Sequence, residues 1–142
     1  MRQFILFITV AILFPFTVMA QHGREHGISQ HDKDLLYNVS RIMQMPEGTH
    51  KLYNGRGSSV FDVLYTIKVT DHKWTVYKGG TESVFDILYS VERKNDGYKI
   101  YKGDSNSVFN IIYTVKETRD GFDVYKGDSL FDMVYSYRRN NW

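Results

Sequence analysis

The chain has 142 residues, a formal net charge of +2 and no cysteine. Disulfide scaffolds, zinc ribbons, thiol redox sites and a lipidated N-terminal cysteine are therefore excluded. The near balance of 18 basic and 16 acidic residues, with both signs spread along the chain, leaves no electrostatic footprint for nucleic acid.

Residues Met1–Ala20 read as a secretory signal peptide. Arg2 precedes an apolar run from Phe4 to Phe14, Pro15 breaks it, and Val18-Met19-Ala20 suits a signal peptidase. The run is shorter than the ~20 residues a membrane-spanning helix needs. Cleavage after Ala20 would leave a soluble chain without a membrane span, secreted or periplasmic. Residues 21–33 (QHGREHGISQHDK) are polar, carry two glycines and lack a hydrophobic period, so a flexible leader is expected. Its histidines, His22, His26 and His31, read as part of a solvated linker, and no metal or cofactor is expected. Asn38-Val39-Ser40 is a formal glycosylation sequon.

Residues 34–142 form a repeat domain. The segments beginning at Leu52, Val76, Ile100 and Val124 align, the first three at a period of 24 residues. Each has tyrosine second (Tyr53, Tyr77, Tyr101, Tyr125), then glycine two residues on (Gly55, Gly79, Gly103, Gly127). Phe61-Asp62-Val63-Leu64-Tyr65 recurs at Phe85–Tyr89, Phe109–Tyr113 and Phe131–Tyr135, the last with two residues deleted ahead of it. Asp34-Leu35-Leu36-Tyr37 reads as a degraded opening copy.

Each unit predicts two strands. Val84–Arg93 and Tyr98–Lys102 are rich in β-branched and aromatic residues, with Lys94-Asn95-Asp96-Gly97 between them as a turn. A two-residue deletion preserves side-chain parity, which favours strands over helices. The expected fold is all-β: an antiparallel meander of about nine strands, the first near 34–41, with loops centred near 71–72, 95–96 and 119–120. Register places Arg93 opposite Tyr98, Val91 opposite Ile100 and Tyr89 opposite Lys102. One face then carries Phe85, Ile87, Tyr89 and Val91 as the core, and the other carries Asp86, Leu88 and Ser90. A flat sheet would leave the aromatic face wet, so it should curl into a small barrel or a two-layer roll.

Two constellations are candidate binding sites. On the outer face the register sets Tyr53 opposite Asp62, Tyr77 opposite Asp86, Tyr101 opposite Asn110 and Tyr125 opposite Asp132. Aromatic plates beside carboxylates suit sugars, and repetition would supply avidity; the same pairs serve equally as a cross-strand ladder. Lys78, Lys102 and Lys126 end the short strands on the core face, between tyrosines (Tyr65, Tyr89, Tyr113) and phenylalanines (Phe85, Phe109, Phe131). Their stems can pack on rings while the ammonium groups reach water, or they can ring a barrel mouth and meet an anionic ligand. No serine–histidine–carboxylate set, phosphate loop, HExxH or calcium loop is present, and the repeated aspartates are spread along the sheet, so an enzyme is not expected. The sequence thus supports an exported binding or structural protein that recognises glycans or envelope components through its Tyr/Asp surface. A small barrel carrying an apolar or anionic ligand is one alternative, and a purely structural or adhesive repeat is another.

Overall fold

A computed structural model of the chain describes residues 28–105 and 107–139. The expected signal peptide and residues 21–27 of the leader lie outside the described residues. Helix α1 (Gln30–Ile42) is followed by eight strands: β1 (Gly48–Tyr53), β2 (Val63–Thr70), β3 (Lys73–Lys78), β4 (Ile87–Lys94), β5 (Gly97–Lys102), β6 (Ile111–Thr118), β7 (Gly121–Lys126) and β8 (Met133–Arg138). They form one antiparallel sheet in sequence order. The expected meander is therefore present.

The expected strand near 34–41 is instead α1, which also takes in residues 30–33 of the expected leader. Ser29 caps it, its hydroxyl accepting from the Asp32 amide at 3.2 Å and donating to the Asp32 carboxylate at 2.7 Å. Leu36, Val39 and Ile42 recur at helical spacing and are buried. The likeness of Asp34–Tyr37 to the repeat motif is too short to outweigh that period.

Parity holds along the hairpins. Arg93 pairs with Tyr98, Val91 with Ile100 and Tyr89 with Lys102, as expected. Pairing continues to Lys94 and Gly97, so the turn is the two residues Asn95-Asp96. The equivalent turns fall at 71–72 and 119–120. Gly97, at φ +153°, lies so close to β6 that a β-carbon would strike the Val115 carbonyl at 1.9 Å.

Inward-facing residues of β2 to β7 join α1 in one core: Ile67, Val69, Val76, Val91, Ile100, Tyr113, Val115 and Val124 pack with Leu36, Val39 and Ile42. At ~4.8 Å per strand, six flat strands would span roughly 24 Å between their outermost axes, twice the ~10–12 Å diameter of a helix. Burial of that whole face requires the sheet to bend around α1. It does not close, because β1 and β8 are not paired among the described residues. Neither a closed barrel nor a second sheet is needed, since α1 fills the concave side.

The direction of α1 follows from two contacts. The Asp32 carboxylate lies near enough to the Tyr113 hydroxyl to help raise its pKa, and Tyr113 pairs with Lys126 at the end of β7. At the other end, residues 43–47 lead into Gly48, which pairs with Val69 beside the 71–72 turn. The helix therefore starts at the end of the sheet bearing the long connections and finishes at the end bearing the two-residue turns.

Leu36→Ala should lower the unfolding free energy by about 2–5 kcal/mol, as truncation in a packed core does. Asn38→Ala, on the exposed side of α1, should change it by less than about 0.5 kcal/mol. Urea denaturation of the two variants measures both, and equal losses would mean that α1 is not docked on the sheet.

Candidate functional site

The long connections, β1–β2, β3–β4, β5–β6 and β7–β8, all lie at one end of the meander. Each begins where a glycine turns the chain out of its strand: Gly55, Gly79, Gly103 and Gly127 have φ between +57° and +69°, a region that glycine enters without steric cost. The first three then make a single 3-10 turn, Val60–Asp62, Val84–Asp86 and Val108–Asn110. A serine opens each connection's apex. Ser59, Ser83, Ser107 and Ser129 accept hydrogen bonds from the amides of Phe61, Phe85, Phe109 and Phe131 at 3.1–3.3 Å.

The phenylalanine after each capped step points into water. Phe61, Phe85 and Phe109 are each 94% exposed, and Phe131 is 96% exposed. The residue before each is also exposed: Val60, Val84, Val108 and Leu130. These phenylalanines were expected on the core face. That expectation fails because β4 begins at Ile87, and the 3-10 turn before it breaks strand parity at Phe85. The last connection is two residues shorter, yet its serine and phenylalanine take the same arrangement.

The Tyr–Asp pairs do not form as expected. A bulge in each unit moves the partners by one residue: Tyr53 pairs with Val63, Tyr77 with Ile87, Tyr101 with Ile111 and Tyr125 with Met133. Asp62, Asp86 and Asn110 end the 3-10 turns, and Asp132 lies just before β8. The tyrosines are not free plates. Tyr77 and Tyr101 are 8% and 5% exposed, and Tyr53 and Tyr125 are half-buried. Asp86 is engaged by the Thr81 hydroxyl at 2.6 Å.

What covers the outer face is the connections themselves. Glu82 binds Lys68 at 3.1 Å, Asp104 binds Lys73 at 2.6 Å and Asp128 binds Lys99 at 2.5 Å, each acid reaching back to an earlier strand. The hydroxyls of Thr66, Ser90 and Thr114 donate to the carbonyls of Gly79, Gly103 and Gly127 at 2.7–2.8 Å. These three residues recur at the repeat period and are buried on the face expected to be solvated.

The lysine row is placed as expected on one side only. Lys78, Lys102 and Lys126 pair with Tyr65, Tyr89 and Tyr113. All three ammonium groups are exposed and make no ion pair among the described residues. The sheet is open, so they form an arc and not a ring. Beneath them burial pushes Tyr89 up to about 12, with a smaller contribution from Tyr65. Burial, then the Asp32 carboxylate, pushes Tyr113 up to about 12.

The sequence motif Ser-(Val/Leu)-Phe-(Asp/Asn) carries this geometry. Its serine, absent from the candidate residues, signals the capped turn. Among the described residues no group of three or more metal-ligating side chains gathers, and no helix is long and apolar enough to cross a membrane.

Ser90→Ala should cost about 1 kcal/mol, because it removes the hydrogen bond from a buried hydroxyl to the carbonyl of half-buried Gly103. Phe85→Ser should stay within about 0.5 kcal/mol of wild type. Thermal or urea melts measure both. Ionised Tyr89 and Tyr113 are disfavoured in the fold, so the stability they contribute is full below pH 10 and lost as pH rises towards about 12. Tyr89→Phe and Tyr113→Phe should each flatten that alkaline loss in pH-dependent denaturation.

No curated protein matches the chain. A solved protein from Arabidopsis thaliana is 25% identical, over 64% of this chain and 51% of its own length, with a TM-score of 0.40. The chain thus spans about half the length of that protein. The family model for 6-fold beta flower proteins matches residues 47–142, from one residue before β1 through all eight strands, and leaves α1 outside. Since that match takes in well over half of the sequence, the chain belongs to the 6-fold beta flower family.

Proposed function

We propose that this protein acts by binding, and that its binding surface is the rim of phenylalanine-tipped turns. The observation that carries this reading is the exposure of Phe61, Phe85, Phe109 and Phe131 at the same position of every unit. Each ring left in water forgoes about 1.5–3 kcal/mol of burial. Four identical forfeitures, each held by a serine cap, are what a surface kept for a partner needs. An isolated exposed ring would need no such account.

The same geometry weighs against the other readings. A carrier needs an interior cavity, and the concave side holds Leu36, Val39 and Ile42. Glycan stacking on Tyr77 and Tyr101 needs open ring faces, and both rings are buried. An exported protein meeting an envelope component through its rim fits the N-terminal signal and needs no catalytic group.

The test is photo-crosslinking in the producing cell. A benzophenone-bearing phenylalanine analogue is placed at position 85 or 109, or at position 71 in the opposite turn. Adducts from the rim positions and none from 71 are expected. Absence of any adduct from both rim positions would end this reading.

A further inference from the structure

We infer that the partner of the phenylalanine rim is a lipid bilayer surface, into which the four turns insert side by side. The inference rests on the binding role proposed for the rim.

The first support is the spacing of the tips. Successive turns are two strands apart, so the rings stand roughly 10 Å from one another along an arc. They are separate prongs. A folded partner would need a matching pocket for each prong at that period. An acyl layer accepts them at any spacing, and Val60, Val84, Val108 and Leu130 extend the apolar surface of every prong. The turns keep their backbone paired as they project: Asp62, Asp86 and Asn110 amides donate to the carbonyls of Ser59, Ser83 and Ser107. A tip entering the interfacial layer thus leaves those groups satisfied.

Charge is arranged for the same surface. Lys78, Lys102 and Lys126 stand exposed at the roots of the turns, where headgroups would lie if the tips were in the acyl region. The acids of the same connections, Glu82, Asp104 and Asp128, are drawn back onto Lys68, Lys73 and Lys99. Of the acids that follow the rings, Asp62 and Asp86 are half-buried, with Asp86 accepting from the Thr81 hydroxyl at 2.6 Å, and Asp132 is exposed.

The absence of native cysteine allows a clean test in the full chain. An environment-sensitive fluorophore is attached at Phe85→Cys or Phe109→Cys, and at Asp71→Cys as the control. Each is mixed with vesicles of phosphatidylcholine and phosphatidylglycerol. The expected result is a blue shift and several-fold brightening at 85 and 109, with quenching by lipids labelled in the acyl chain, and no change at 71. The probe reads its own surroundings, so the answer does not depend on whether the N-terminal run is present. Circular dichroism confirms that each labelled variant is folded. Unchanged spectra at 85 and 109, or an equal response at 71, would overturn the inference. So would a blue shift without vesicles that grows with protein concentration, which would point to a second copy of the chain. Protein adducts from the rim, together with no vesicle response, would remove the bilayer and leave the rim as a binding surface.

Discussion

A single sheet has two faces and cannot bury either against itself while it is flat. Everything in this protein depends on how the inward face is covered, and α1 does it. Val39 is wholly buried, with Leu36 and Ile42 beside it, and the strands bend until their aliphatic residues meet that one helix. With the interior occupied, there is no second sheet and no hollow barrel among the described residues. The binding role proposed for this protein therefore falls to the outside of the molecule, at the end where the long connections gather.

The outer face is covered by a different means. Three of the four connections fold back, the acid of each held by a lysine and its glycine carbonyl held by a buried hydroxyl. Isolated surface ion pairs contribute little, about 0–1 kcal/mol each. The hydroxyl–carbonyl bonds matter more, because the hydroxyls of Thr66, Ser90 and Thr114 are buried and have no water as an alternative partner. Once the root of the connection is tied down, its apex has nowhere to go but outward. The serine cap then sets the direction of the ring. The projecting phenylalanines are thus a product of the same packing that closes the outer face over Tyr77 and Tyr101.

Much of the meander was legible because strand parity is a strong constraint. The pairing of Val91 with Ile100 follows from turn length alone, and one-residue errors would have put Val91 in water. Three things were not legible, each for a physical reason. A bulge leaves hydrophobic alternation intact on both sides of it, so the shift of Tyr77 from Asp86 to Ile87 leaves no trace in composition. Phe85 alternates with Ile87 and Tyr89 as if it were part of the strand, and only Ser83 marks the turn that carries it outward. Residues 34–37 match the repeat motif locally, while the helical period that decides the matter needs the longer window from Leu35 to Met43. Of the candidate site, the lysine row lies beside its expected tyrosines but lacks its expected phenylalanine flank. The aromatic residues were found in the right units but with their exposure exchanged between tyrosine and phenylalanine.

The open seam between β1 and β8 bears on how such an array can change in length. Asp34, Tyr37, Asn38 and Arg41 share one exposed stripe of α1, with Arg41 bonded to the Tyr37 hydroxyl at 3.0 Å. That stripe is the part of the helix which the sheet leaves to solvent. A sheet wrapped about 10 Å from a helix axis has a circumference near 60 Å, and eight strands at ~4.8 Å take up only about two-thirds of it. A duplicated hairpin could therefore be accommodated sterically, but it would slide over Asn38 and Arg41 and strip them of water. Growth by one unit thus demands coordinated apolar replacement on the helix. Unit number and helix polarity are coupled through packing.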